Sequence, residues 1–279
     1  MKRKSFFLVC LAGAVLAAAS CEKTYPVDPV PVDVPTEREP DGEEIVIYAE
    51  HGHGGTKAVT PVTSIPSTLY WGVTSGTTTE TVVYATASGT VSSGKLSTGK
   101  YRANGSGTPY NYYLANRTFT AGGTMTVPAN TDVVVGRTAQ STSASPTVNL
   151  IHVFARSGSL SMPSTGGFTY SNLTWKIRGK SSINGTAGTF NMKTLTWTAS
   201  SAKLTSDTVF TSSSDLYLIP GEYTVTVTGT ATKGTQSQTF TVTSDITFQR
   251  GKINNITGNL DYLGVDWDDD WDDDGEIGL

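Results

Sequence analysis

The sequence predicts an all-β protein made of two antiparallel β-sandwiches in tandem. Several windows alternate between apolar residues and Thr, Ser or charged residues with a period of two, which is typical of half-buried strands. Gly- and Ser-rich turns separate these windows, and no long amphipathic helical pattern accompanies them. A length of 279 residues suits about two domains.

The first twenty residues have the pattern of an export signal. A basic segment, Lys2–Lys4, precedes an apolar run that is too short for a good membrane span. The run ends at Ala19-Ser20-Cys21, which is typical of a lipobox whose cysteine is diacylated and becomes the mature N-terminus. We therefore predict a signal peptide at 1–20 and a covalent lipid on Cys21. An ordinary secretory signal with an incidental cysteine is the alternative.

Residues 21–43 follow as an acidic, proline-rich segment. Five prolines interleaved with acidic residues prevent core packing and favour an extended tether, which would hold the rest of the chain away from the membrane. Both cysteines of the chain, Cys10 and Cys21, precede the body that follows. The sequence therefore excludes disulfides and cysteine-based metal sites in that body.

Five windows of the body place large apolar residues on one face and polar residues on the other, as half-buried antiparallel strands do. These apolar sets are Leu69, Trp71 and Val73; Tyr110, Tyr112 and Leu114; Leu173, Trp175 and Ile177; Tyr223, Val225 and Val227; and Phe240, Val242, Ile246 and Phe248.

Two further segments are apolar on both faces, "EIVIYAE" (44–50) and "VNLIHVFAR" (148–156). Such strands are expected to be central and covered on both sides, or to require pairing. The polar stretch "AQSTSASP" precedes the second segment. We therefore predict an N-terminal sandwich over 58–146 and a C-terminal sandwich over 147–262.

The sequence carries little of the chemistry that enzymes use. It has three histidines and no nucleophile-elbow, zincin, P-loop or dinucleotide-binding motif, so we predict a protein that is not an enzyme and has no cofactor. His51 and His53 lie in a Gly-rich loop, and two ligands without a third indicate a loop more often than a metal site. His152, inside an apolar strand, is predicted to be a hydrogen-bonded core histidine.

The charge is divided unevenly along the chain. Residues 58–265 hold fourteen Lys and Arg against seven Asp and Glu, whereas residues 266–276 hold eight acidic residues. The positive charge is scattered over the body rather than gathered in a stripe, so we predict no nucleic-acid partner.

Several stretches together resemble the fimbrillin family of Bacteroidetes, including its Mfa-like members. They are "EIVIYAEHGHGGTKAVT", "NLIHVFARSGSL", "LTWKIRGKSSINGTAGTFN" and "LYLIPGEYTVTVTGTATKGTQSQTFTVTSDITFQRGKINNITGNLD". An apolar strand with a central His, a "GT-x-N" hairpin and a late "F-x-x-GK-x-N-x-I-T" run follow the family's order. The resemblance covers about 44–263, and the family consists of lipoprotein-exported subunits of type V pili.

The resemblance implies two transthyretin-like sandwiches and a specific route of activation. A trypsin-like protease removes the N-terminal segment with its first strand, and the C-terminal strand of a neighbouring subunit fills the groove that opens. The removable strand and its cleavage loop map onto 44–57, with the cut after Lys57. Lys57 departs from the family's usual Arg. A cut after Arg38, the alternative, would leave the strand attached.

The acidic tail, 263–279, fits the role of the donor strand. Its large apolar residues all have odd numbers and share one face of an extended strand, while six of its eight acidic residues occupy the even face. Asp269 and Asp273 interrupt the odd face, so the inserted part is expected to be 263–267, with Trp271 as a further anchor. A disordered acidic tail and a calcium loop over Asp270-x-Asp272-x-Asp274-Gly275 are the alternatives, although the loop lacks its closing Glu. The donor-strand residues are Leu263, Val265, Trp267, Trp271, Ile277 and Leu279.

These features predict a structural subunit of a surface pilus that serves adhesion. Its partners would be other pilin subunits, a trypsin-like protease, the outer membrane through the lipid before processing, and host or bacterial surface ligands. It would be a lipid-anchored outer-membrane precursor first and part of a pilus afterwards. Asp207-Thr208-Val209 also matches the Asp-Ser/Thr-apolar pattern that O-glycosylation uses in Bacteroidetes, which makes Thr208 a candidate glycosylation site.

Two other functions remain open from the sequence. One is a monomeric surface lipoprotein that binds glycans through exposed aromatics at Tyr110, Tyr112 and Tyr113. The other is a tip adhesin or a membrane anchor of the same pilus.

Overall fold

The computed structural model describes residues 42–51, 65–211, 216–260 and 263–268. Within these ranges the chain forms eighteen β-strands and no helix, which confirms the all-β class. No helix in the described residues is therefore long and apolar enough to cross a membrane.

The strands, in chain order, are β1 (Gly42–His51), β2 (Thr68–Ser75), β3 (Thr81–Ser92), β4 (Lys95–Ala103), β5 (Tyr110–Ala115), β6 (Thr124–Val127), β7 (Val134–Ser141), β8 (Thr147–His152), β9 (Ala155–Ser161), β10 (Thr169–Gly179), β11 (Gly188–Asn191), β12 (Thr196–Ser200), β13 (Thr208–Phe210), β14 (Tyr217–Leu218), β15 (Gly221–Lys233), β16 (Gln236–Phe248), β17 (Ile253–Gly258) and β18 (Leu263–Asp268).

The first sheet has seven strands and closes on itself, in the order β1-β4-β3-β2-β5-β7-β8. It closes because β1 pairs with β4 in the antiparallel sense and with β8 in the parallel sense. The sheet encloses a core of apolar side chains that includes Leu69, Trp71 and Val73, as their alternation predicts. β1 is thus the strand that joins the two ends of the sheet.

The second half of the chain forms two four-stranded sheets around one shared core. Their orders are β13-β10-β15-β16 and β14-β9-β17-β18. The predicted inward faces of β10, β15 and β16 are confirmed, because Ile177, Tyr223, Val225 and Val227 are fully buried and Ile246 nearly so. Thr, Ser and charged residues occupy the opposite face, so the period-two pattern identified these strands correctly.

A third core lies where the two halves of the chain meet. The small sheet β12-β11-β6 pairs β6, from the first half, with β11, from the second. β8 was predicted to open the C-terminal sandwich, but its parallel pairing with β1 places it in the first sheet. The tandem arrangement of two transthyretin-like sandwiches with a boundary at 146 stays a prediction.

The predicted polar face of β5 is wrong. Tyr112 and Leu114 point into the core of the closed sheet, while Tyr113 and Ala115 point into the third core, and all four are fully buried. β5 therefore separates two apolar layers. A strand in that position buries both faces.

Candidate functional site

The candidate functional site is β1 together with the groove between β4 and β8 that holds it. Of the segment predicted to be removable, 44–57, the structure describes the part through His51. Cys21, Arg38 and Lys57 lie outside the described residues, so lipidation and cleavage at these positions stay predictions.

β1 buries one face and leaves the other at the surface. Ile45 and Ile47 are fully buried, and Ala49, on the same face, is 2% exposed. Tyr48, on the opposite face, is 40% exposed. Of the two alternatives for this strand, cover on both faces is wrong, because alternate side chains of a closed sheet point inward and outward. The other alternative, pairing, is met by β4 and β8.

The pairing of β1 with β4 contains a bulge at its centre. Val46 pairs with Ser97 and Glu44 with Tyr101, so three residues of β4 stand opposite Ile45. Gly99, in the middle of the three, has a φ of 60°, a left-handed conformation that glycine adopts without steric cost. We call this feature, Ser97–Lys100 of β4 opposite Glu44 and Ile45, the Glu44 bulge.

Side chains tie β1 into the Glu44 bulge. One carboxylate oxygen of Glu44, Oε1, accepts a hydrogen bond from the Gly99 N–H at 3.2 Å and another from the Ser97 hydroxyl. The Thr98 hydroxyl donates to the Ile45 carbonyl at 2.8 Å. These contacts are specific to one register, because a shift of β1 along β4 would move Glu44 away from both donors.

On its other side β1 is bonded to β8 and to the segment before it. Tyr48 pairs with Thr147 and His51 with Leu150 in the parallel register. The N–H of Val46 donates to the Ala144 carbonyl at 2.9 Å, and that of Tyr48 donates to the Pro146 carbonyl at 2.9 Å. β1 is therefore hydrogen-bonded along both edges, as a central strand is.

β4 depends on β1 for most of its strand pairing. It pairs with β3 at two positions, Leu96 with Val91 and Lys95 with Ser92, and with β1 from Lys95 to Ala103. Near its far end Arg102 is 3% exposed and donates to the Ser106 carbonyl at 2.9 Å. Removal of β1 would leave the middle of β4 with no strand partner among the described residues.

The structure places part of the predicted donor strand in its own chain. Leu263, Val265 and Trp267 lie on β18, which pairs with β17 and forms the edge of its sheet. Trp271, Ile277 and Leu279 lie outside the described residues. Donation of this tail to a neighbouring subunit stays a prediction.

The predicted glycan-binding aromatics are not at the surface. Tyr112 and Tyr113 are fully buried, and Tyr110 is half-buried beneath the Arg102 guanidinium, which lies 4.4 Å from the ring centroid. Burial is the main cause that raises the pKa of Tyr113 to about 12, and it also raises the pKa of Tyr112. The prediction of an exposed tyrosine surface is therefore wrong, for the same reason that β5 has no polar face.

Sequence reasoning missed a buried ionic cluster beside Tyr113. The Glu80 side chain is 3% exposed and accepts hydrogen bonds from Arg137 Nη2 at 2.9 Å and from the Tyr113 hydroxyl at 2.5 Å. Arg137 Nη1 also donates to the carbonyl of Lys193, a residue from the second half of the chain. No local motif signals this cluster, because its members are brought together by tertiary structure alone.

Two smaller predictions concern His152 and Thr208. His152 is 4% exposed, and its Nδ1 lies 2.8 Å from Asp132 Oδ1, so the prediction of a hydrogen-bonded core histidine is confirmed. Thr208 is exposed at the start of β13, and its glycosylation stays a prediction. In the described ranges, no three His, Cys, Asp or Glu side chains come together as a metal site would require.

No protein-family model matches the sequence, and no curated protein matches it. Solved structures from Bacteroidetes resemble the chain at low identity. A candidate cell adhesion protein from Bacteroides uniformis is 14% identical with a TM-score of 0.48, over 81% of this chain and 96% of the other. A fimbrial protein from Bacteroides vulgatus is 10% identical with a TM-score of 0.48, over 81% and 98%. A fimbrial assembly protein from Parabacteroides distasonis is 12% identical with a TM-score of 0.43, over 81% and 99%.

Proposed function

We propose that this chain is a structural subunit of a bacterial surface fimbria that serves adhesion, and that it polymerises by exchanging β1 for a strand of a neighbouring copy. The observation that carries the proposal is the position of β1. It joins the two ends of a closed sheet, yet it is the first described strand and connects forward through 52–64. A single cut in that connection would separate it from the rest of the chain.

The groove offers what a replacement strand requires. Its walls, β4 and β8, present backbone groups for pairing, and its floor is the apolar core that contains Leu96, Val148 and Leu150. Strand addition of this kind draws affinity from main-chain hydrogen bonds and specificity from alternate side chains. Burial of two isoleucine side chains contributes about 3–6 kcal/mol, which an incoming strand would have to match.

The position of the cut follows from the same topology. Cleavage after Lys57 would divide the chain between β1 and β2, whereas cleavage after Arg38 would leave β1 joined to the rest. In the proposed sequence of events the precursor is exported with a lipid on Cys21, anchored at the outer membrane and then cleaved after Lys57. The trypsin-like protease and other pilin subunits are its partners in assembly.

The test is limited trypsin digestion of the purified precursor, followed by N-terminal sequencing and negative-stain electron microscopy. The mature body should begin "AVTPVTS" and form fibres. Lys57→Gln should prevent both, and Arg38→Gln, the matched control, should prevent neither. Uncleaved Lys57→Gln precursor that forms fibres as well as the wild type would overturn the proposal.

A further inference from the structure

Two segments of the sequence share a pattern that occurs nowhere else in it. Residues 41–47 are "DGEEIVI" and residues 274–279 are "DGEIGL". Of the nine glutamates in the chain, Glu44 and Glu276 alone precede an isoleucine. In both places a second aliphatic residue follows two positions later, so the two aliphatic side chains share one face of a strand.

We propose that Glu276 of a neighbouring copy takes the place of Glu44 in the Glu44 bulge and thereby sets the register of strand exchange. Ile277 and Leu279 then occupy the positions of Ile45 and Ile47. This inference rests on the proposed function and names the part of the tail that enters the groove.

The Glu44 bulge and the two buried aliphatic positions that follow it together distinguish one register from the others. A strand with period-two alternation can shift by two residues and still direct its apolar side chains inward. In the tail, a shift by two residues would place the shorter carboxylate of Asp274 at the Gly99 N–H and the Ser97 hydroxyl, which both donate to Glu44. Gly275 would then lie at the position of Ile45 and leave its buried site unfilled. Among the tail's acidic residues, Glu276 alone is followed by the two aliphatic side chains that the adjoining pockets accept.

The length of the available tail fits this assignment. β18 pairs Leu263–Asp268 with β17 of the same chain, and the eleven residues 269–279 follow it. An extended chain of eleven residues spans roughly 36 Å. Insertion of 263–267 instead would require β18 to separate from β17.

The charge of β4 also fits an acidic partner. β4 carries Lys95, Lys100 and Arg102 and no acidic residue. Lys95 and Lys100 are exposed, and Lys100 belongs to the Glu44 bulge. The tail is acidic, so its charge is opposite to that of the exposed lysines on β4.

The first experiment measures fibre growth by light scattering after cleavage at Lys57. Glu276→Ala should slow growth about fivefold, because it removes a charged acceptor at a partly exposed site. Asp272→Ala, the matched control, removes the same charge four residues away and should change the rate less than twofold. Combining Glu276→Ala with Ser97→Ala should slow growth less than the product of the single effects.

The second experiment reads the register directly. The processed chain from residue 58 onward contains no cysteine. In the proposed register Gly278 stands where Val46 pairs with Ser97, so Gly278→Cys with Ser97→Cys should form disulfide-linked multimers on oxidation. The competing alternative, insertion of 263–267, is tested by combining Asp266→Cys with Ser97→Cys. This pair should form no disulfide-linked multimers.

The outcomes separate the inference from the function on which it rests. Absence of fibres from cleaved wild-type protein would refute strand exchange itself. Normal fibres together with equal effects of Glu276→Ala and Asp272→Ala, or cross-linking through Asp266→Cys, would refute the register while leaving strand exchange intact.

Discussion

Replacement of Ile47 by alanine should destabilise the precursor and leave the processed subunit unchanged. Ile47 is fully buried in the closed sheet and pairs with Leu96 across the β1–β4 ladder. An Ile→Ala change at an enclosed site costs about 2–5 kcal/mol, since it removes apolar burial and leaves a cavity. We expect about 3 kcal/mol, which raises the unfolding equilibrium constant more than a hundredfold.

The assay is urea unfolding followed by tryptophan fluorescence, because Trp71 lies in the same core as Ile47. Tyr48→Ala is the matched control, since Tyr48 is the next residue of β1 and is 40% exposed. It should cost less than about 1 kcal/mol. After cleavage at Lys57 and removal of β1, wild-type and Ile47→Ala bodies should unfold at the same urea concentration. Equal losses from Ile47→Ala and Tyr48→Ala in the precursor would show that β1 does not contribute to the core as described.

Two further predictions concern the membrane anchor and the Glu80 cluster. Cys21→Ala should abolish palmitate labelling and move the precursor out of the membrane fraction, and unchanged labelling would refute lipidation at this residue. The pKa of Tyr113 is raised to about 12 by burial and by its hydrogen bond to Glu80. Since an unfolded tyrosine ionises near pH 10, the stability that Tyr113 contributes is present below about pH 10 and is lost as the pH rises through about 12. Tyr113→Phe should therefore flatten the fall in unfolding free energy between these pH values, and an unchanged slope would contradict this assignment.

Local sequence pattern was sufficient to predict which face is buried in strands that have one face exposed to solvent. In β15, Tyr223, Val225 and Val227 alternate with threonines, and the structure buries the first set and leaves the second accessible. His152 could be predicted for a similar reason, because a polar residue between large apolar neighbours on a strand requires a buried partner. Asp132, twenty residues earlier in the chain, supplies it.

The alternation pattern gave a wrong prediction of burial where a second layer of residues covers the outer face of a strand. Tyr113 occupies the face of β5 that alternation assigns to solvent, but Phe190 and Met192 from the second half of the chain help to form a core on that face. Whether a strand face is exposed to solvent depends on residues that are far away in sequence. The burial of this face therefore could not be predicted from the sequence of β5 alone.

The sequence by itself determined the all-β class and the inward faces of β2, β10, β15 and β16. These follow from short-range periodicity and composition, which act within a few residues. Tertiary structure alone decided that β1 closes a sheet between β4 and β8, and that β4 forms a bulge around Glu44. Both features depend on hydrogen bonds between segments about fifty to one hundred residues apart, and the free energy of such contacts exists only once the chain has folded.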